Sequence, residues 1–190
     1  MKTKMAYGTP QLNDYMDKLD IVTDETGSRV VLLPEIIFSN KQNINWEDVE
    51  NYLGKYVGEL IEITETKDII YIGNKFPDEY SGSSYTRKTK GARAKAKANA
   101  AQGIKEMVEI ATDKVYRENH KEKHSEDAHN GWFYYVTRFA IPLYDNEKKT
   151  GAYNVYSACL VVNHAANGKM YLYDVVDIKK EASNPLKTIK

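Results

Sequence analysis

The sequence predicts an α+β fold, with N-terminal helices packed on an antiparallel β-meander of about four strands. Two observations carry this expectation. Trp46, Val49, Tyr52, Leu53, Tyr56 and Val57 recur at the spacing of one α-helical face, and Ile104, Met107, Val108, Ala111 and Val115 draw a second helical stripe. Trp132 to Tyr144 alternates with a period of two instead, and two further β-type runs follow it between turn sequences. Helices first and strands last is the order of an α+β domain, not of alternating βαβ units.

The elements follow in chain order. Residues 1–28 show no sustained period beyond a short helical pattern at Gln11–Leu19, and read as an N-terminal arm or accessory element. Residues 29–190 read as a single α+β domain. Arg29 to Phe38 is apolar but contains Pro34, which predicts an edge strand or two short pieces. The helix over Trp46–Val57 has Asn45 as its cap, Glu47 and Asp48 in its first turn, and Gly58 to end it. Leu60–Ile63 and Ile69–Ile72 form a hairpin about Glu65-Thr66-Lys67-Asp68. Asn74–Lys90, with Pro77, Gly82 and three serines, reads as a loop. Ala92–Ala101 is helical by propensity, and Gly103 kinks or breaks it. Asp113–Asn130 is polar and reads as a solvated helix end followed by a loop.

In the last third, Phe133, Tyr135, Thr137, Phe139, Ile141 and Leu143 share one strand face, and Trp132, Tyr134, Val136, Arg138 and Ala140 share the other. Residues 145–151 form a hairpin loop. Tyr153–Val162 is apolar on both faces and therefore central, and Met170–Ile178 is the next strand.

Bulk composition bounds the function. The 190 residues carry 27 Lys+Arg against 27 Asp+Glu. Zero net charge argues against a protein that coats nucleic acid by bulk electrostatics, and leaves room for one local basic site. The hydrophobic and charged fractions exclude a disordered, collagenous or coiled-coil chain. The single cysteine, Cys159, forms no intrachain disulfide and no cysteine zinc site. It lies mid-strand and reads as a small hydrophobe. No apolar run approaches the roughly 18 residues of a membrane span, and Met1-Lys2-Thr3-Lys4 lacks the apolar stretch of a signal peptide. The expectation is a cytoplasmic protein with no membrane partner and no cofactor. Fifteen tyrosines against four phenylalanines suit strands, and equally a binding surface.

Three constellations can carry chemistry. Between Arg87 and Lys97 stand six basic residues (Arg87, Lys88, Lys90, Arg93, Lys95 and Lys97) and no acid. They straddle a helix entry behind Ser81–Thr86, an arrangement that suits phosphate and equally suits a solvated basic face. The intervening alanines allow close approach to the helix, or are core packing. His120 and His124 are spaced i, i+4, with Asp127 and His129 following. Two lysines inside that spacing oppose a metal, and histidine suits acid–base work. Arg138 lies beside Thr137 in an apolar strand and shares a face with Trp132 and Tyr134. An aromatic pair beside a guanidinium can stack a base and hold a phosphate, while the plainer role for Arg138 is a salt bridge. No phosphate-binding glycine loop and no nucleophile elbow occurs.

Several of these segments resemble a known family. They are Lys123-His124-Ser125-Glu126-Asp127-Ala128, Gly131-Trp132-Phe133-Tyr134 and Thr137-Arg138-Phe139-Ala140-Ile141-Pro142, with Tyr71-Ile72-Gly73, Phe76-Pro77-Asp78-Glu79-Tyr80, Ala94–Ala101, Leu172-Tyr173-Asp174 and Asp177-Ile178-Lys179. Together they resemble the third class of large polyvalent protein-associated domains of phages and conjugative elements, across roughly Val30 to Leu186. That class is similar to the barnase, EndoU, colicin E5/D and RelE-like nucleases. The resemblance implies metal-independent RNA cleavage, with His124 or His129 as acid or base, Thr137 orienting a proton, and Arg138 with Lys95 or Lys97 on the phosphate. It implies RNA or a host nucleoprotein complex as partner, in a bacterial cell. A non-enzymatic inhibitor of host defence, of the anti-CRISPR kind, is the alternative expectation.

Overall fold

A computed structural model describes residues 18–39, 43–120, 128–181 and 185–187. In chain order the elements are β1 (Ile21–Thr23), β2 (Arg29–Leu32), α1 (Trp46–Leu53) with a 3₁₀ turn at Gly54–Tyr56, β3 (Leu60–Glu62) and β4 (Ile69–Tyr71). Then come α2 (Phe76–Gly82), α3 (Ser84–Lys88), α4 (Gly91–Ala100) with a 3₁₀ turn at Ala101–Gly103, α5 (Ile104–Glu109) and β5 (Thr112–Arg117). The chain closes with β6 (Trp132–Asp145), β7 (Lys148–His164), β8 (Met170–Lys180) and β9 (Leu186–Lys187).

The α+β class holds, and the sheet is larger than expected. Among the described residues it has nine strands, in the order β1-β2-β6-β7-β8-β4-β3, with β5 beside β6 and β9 beside β7. The expected meander of about four strands is only its centre, β6-β7-β8. The β1–β2 and β3–β4 hairpins join it through parallel pairs, Val31 with Phe139 and Ile70 with Met170. Strands of three or four residues carry too little alternation to announce a partner, so only tertiary pairing recruits them. β2 is accordingly interior, between β1 and β6, and ends at Leu32 before Pro34. The boundary expected at residue 28 falls within a hairpin. Ile21 pairs with Val31, and the Leu19 side chain would touch a Cβ built on Gly103, so this stretch belongs to the domain. Most of the Gln11–Leu19 pattern lies outside the described residues.

The period-two reading of β6 is met on both faces. Tyr135, Phe139 and Ile141 enter the main core with Leu160, Val162, Leu172 and Val175. Above them lie Val49, Leu53 and Tyr56 of the α1 region and Ala96, Ala98, Ala100, Ile104 and Met107 of α4 and α5. Each such Leu, Ile or Phe contributes about 1.5–3 kcal/mol by leaving water. Ala96, Ala98 and Ala100 of α4 are therefore core packing, and small side chains let that helix sit close to the sheet. Among the described residues no helix packs on the other sheet face. It holds two smaller clusters, Val30/Leu32/Ala140/Val155 and Ala128/Trp132/Val161.

Local signals explain most ends. Asn45 accepts from Glu47 N at 3.1 Å and caps α1. Asn146 and Glu147, with φ of 46° and 66°, make the turn between β6 and β7 in two residues, tighter than the expected loop. Residues 74–90 are not a loop. Pro77 opens α2 and the Ser83 hydroxyl accepts from Thr86 N at 3.1 Å, so the proline and serines act as helix starts. Residues 112–117 are not a helix end either. α5 stops at Glu109, and β5, Thr112–Arg117, pairs with β6, whose N-terminal half has no other strand on that side among the described residues.

Candidate nucleic-acid interface

β5 places its side chains by direct register on β6. Arg117 pairs with Trp132 and Val115 with Tyr134, so all four face away from the helices. Arg117 is the diagonal neighbour of Tyr134, and its Cζ lies 5.0 Å over that ring. The Trp132 ring meets Tyr173 of β8 edge-on at 5.1 Å and 80°. Trp132 Nε1 donates to Asn119 Oδ1 at 3.4 Å. Val161 of β7 forms the floor opposite Tyr134. Glu118 and His120 close the rim, with His120 Nε2 4.0 Å from Glu118. The result is an open groove of about 310 Å³.

Gly131 sets the closeness of β5 to β6 at this groove. Its φ is 92°, and a Cβ there would lie 2.7 Å from the Arg117 carbonyl oxygen and from the Tyr116 ring. Gly131→Ala is expected to lower stability by more than about 1 kcal/mol from backbone strain alone, because alanine resists positive φ. The clash with Arg117 adds to that cost. Chemical denaturation measures it, and a wild-type midpoint would refute the close approach.

The residues expected to form one site are dispersed. Trp132 and Tyr134 lie in the groove. Arg138 does not join them. Its Nε and Nη2 donate to the Glu181 carboxylate at 2.7 and 2.8 Å. Its Nη1 lies 2.7 Å from Asp24 Oδ2, a charge contact rather than an aligned hydrogen bond. The Glu181 hydrogen bonds, together with Asp24, hold its guanidinium above the ordinary arginine pKa despite burial. Thr137 faces the opposite way and donates from the core to Met107 O at 2.7 Å, so it orients no solvent-side proton. Lys97 is fully buried and holds no phosphate. Arg87, Lys88, Lys90 and Arg93 are exposed and Lys95 half-buried, all on the helix side. His129 is exposed in the turn before β6, and His124 lies outside the described residues. The guanidinium that joins the aromatics is thus Arg117. Only the pairing of β5 reveals it, since by sequence it lies in the polar stretch that reads as a solvated helix end.

Lys97 instead anchors a buried network. Its Nζ lies 2.6 Å from Asp174 Oδ1 and over the rings of Tyr80 and Tyr85 at 4.5 and 5.0 Å. Burial pushes the Asp174 carboxyl up and the Lys97 ammonium down, and their contact opposes both shifts. The Tyr80 hydroxyl donates to Lys97 O. Ile178 N, in the part of β8 beyond its pairing with β4, donates to the Tyr85 hydroxyl at 2.9 Å, so a side chain satisfies a backbone group that the sheet leaves unpaired. Cys159 is half-buried and its thiol is pushed up to about 11, mainly by burial, which makes it a poor nucleophile.

Among the described residues no group of three or more His, Cys, Asp or Glu side chains is gathered as a metal site. None of their helices is long and apolar enough to cross a membrane. Comparison of the chain with protein-family models, with curated proteins and with solved structures finds no match.

Proposed function

We propose that the protein binds single-stranded RNA in the groove on the helix-free face of its sheet. The observation that carries this reading is the Arg117 guanidinium stacked on Tyr134 beside the Trp132–Tyr173 pair. Aromatic faces on an open sheet accept unstacked bases of any sequence, and an adjacent guanidinium holds the phosphate between them. Glu118 on the rim offers an acceptor for a ribose 2′-hydroxyl, the group that separates RNA from DNA.

Fluorescence anisotropy with a short labelled oligouridylate tests it. Tyr134→Ala is expected to weaken binding about fivefold to a hundredfold, the cost of about 1–3 kcal/mol for one stacked base. Unchanged affinity in both Tyr134→Ala and Arg117→Ala would end this assignment.

One observation favours a second reading, cleavage in the same groove. His120 and Glu118 stand together beside Arg117. Attack by a 2′-hydroxyl needs a base, an acid and a cation on the phosphate, and Glu118, His120 and Arg117 are of those three types. Incubation of RNA with the protein in EDTA separates the readings. Cleavage lost in His120→Ala supports an enzyme, and intact RNA with wild-type protein leaves a binding module.

A further inference from the structure

A second charged surface lies apart from the groove. α3 ends in Arg87 and Lys88, Lys90 stands at the entry to α4, and Arg93 and Lys95 follow on that helix. None of the five forms an ion pair with a described residue. Among the described residues their charges are left without an ion-pair partner, in a chain that is otherwise net acidic.

The placement runs against local preference. The first turn of a helix favours anions, because its amides and macrodipole are positive there. α4 has no acid in its first turn and no side-chain cap, and it carries Arg93 in that turn behind Lys90. Cations at this end disfavour the unliganded protein, and a bound anion reverses the sign. A local rule broken without a compensating contact marks a functional surface. Gly91, at φ 59°, makes the sharp junction that brings the α3 cations beside those of α4. They surround a shallow depression of about 540 Å³ formed by Tyr85, Lys88, Thr89, Lys90, Ala92 and Arg93.

The lining chooses the occupant. Tyr85 is the depression's one aromatic side chain, and its hydroxyl is engaged by Ile178 N. No large aliphatic side chain lines the depression to enter a lipid layer, and its one aromatic ring already has Lys97 Nζ over it at 5.0 Å. Repeated phosphates along a nucleic-acid backbone fit what remains: several cations, exposed helix amides and no sequence-reading group. Ala96, Ala98 and Ala100 of α4 pack into the core with Tyr135 and Phe139, whereas Trp132 and Tyr134 face the other way. The ledge and the groove therefore lie on opposite sides of the sheet.

We infer that the α3–α4 ledge is a sequence-independent contact for a nucleic-acid phosphate backbone, separate from the aromatic groove. The test is anisotropy with a DNA duplex and with oligouridylate over a series of salt concentrations. The triple variant Lys88→Ser, Lys90→Ser, Arg93→Ser is expected to weaken duplex binding equally for all sequences. It is also expected to lower the slope of log K against log salt by about two to three. These positions are exposed, and circular dichroism checks that the variant folds. Tyr134→Ala is expected to weaken oligouridylate binding with the slope unchanged. If the triple variant loses its slope while Tyr134→Ala binds normally, the ledge stands and the groove reading fails. A wild-type slope in the triple variant overturns the ledge. So does wild-type nucleic-acid binding combined with lost adsorption to phosphatidylserine vesicles, which would assign the cations to an anionic membrane surface.

Discussion

Lys97→Met is expected to cost about 3–5 kcal/mol of unfolding free energy, because it leaves the Asp174 carboxylate buried without its cation. Asp174→Leu is expected to cost a similar amount by stranding the ammonium between Tyr80 and Tyr85. Domains of this size are stable by only about 5–15 kcal/mol, so either change removes a large share. Asp174 also accepts from Val175 N at 2.8 Å, so its removal leaves a buried backbone amide of β8 without that partner as well. The double variant is expected to cost clearly less than the sum of the two, since neither charge is then left alone. Guanidinium unfolding followed by circular dichroism measures all three. Strictly additive costs would mean that the two charges do not act as a pair.

Arg138→Met comes next in size. It is expected to lower stability by about 2–3 kcal/mol and to leave RNA affinity unchanged. Methionine keeps the apolar stem and removes the bidentate bond to Glu181 and the contact to Asp24. That contact ties the β1–β2 turn to β6. Burial alone would raise the Asp24 carboxyl, but hydrogen bonds from the Thr26 hydroxyl and the Ser28 and Thr26 amides, with the Arg138 guanidinium beside it, hold it at about 2, against an ordinary 3.8. A lowered folded-state pKa contributes stability above the ordinary value, and that stability is lost as pH falls through the lowered one. Wild type is therefore expected to lose this contribution between about pH 4 and pH 2, and Arg138→Met to lose less of it there. Asp68 is also lowered, against the pull of burial, by Lys114, Thr66 and Tyr135, so the difference between the two proteins isolates Asp24. Loss of RNA binding in a folded Arg138→Met would return this residue to a ligand-binding role.

These two residues show where sequence reading stops. Alternation in β6 separated Thr137 from Arg138 and put Trp132 and Tyr134 on the helix-free face, because a side-chain period of two is a local property. It also put Arg138 on that face as the guanidinium beside those rings, and the structure places Arg117 there instead. Arg138 is held by Asp24 and Glu181, from segments 114 and 43 residues away. Arg117 reaches Tyr134 only because β5 pairs across the chain with β6. Lys97 reads as one more cation in a basic run. Its burial follows from the docking of α4 on the sheet, which turns that one position toward Asp174 while Arg93 and Lys90 stay in water.

By itself the sequence determined the long strands β6, β7 and β8, the helix α1 with its Asn45 cap, the α4 helix broken at Gly103, and the α+β class. Each is specified by spacing, capping and turn chemistry within a few residues. The tertiary structure decided the rest: the addition of β1, β2, β3, β4 and β5 to the sheet, the helices within residues 74–90, and the separation of the basic ledge from the aromatic groove. Short elements have too few residues to outweigh competing local preferences, and partners in a sheet are chosen by contacts between distant segments, which a linear pattern does not encode.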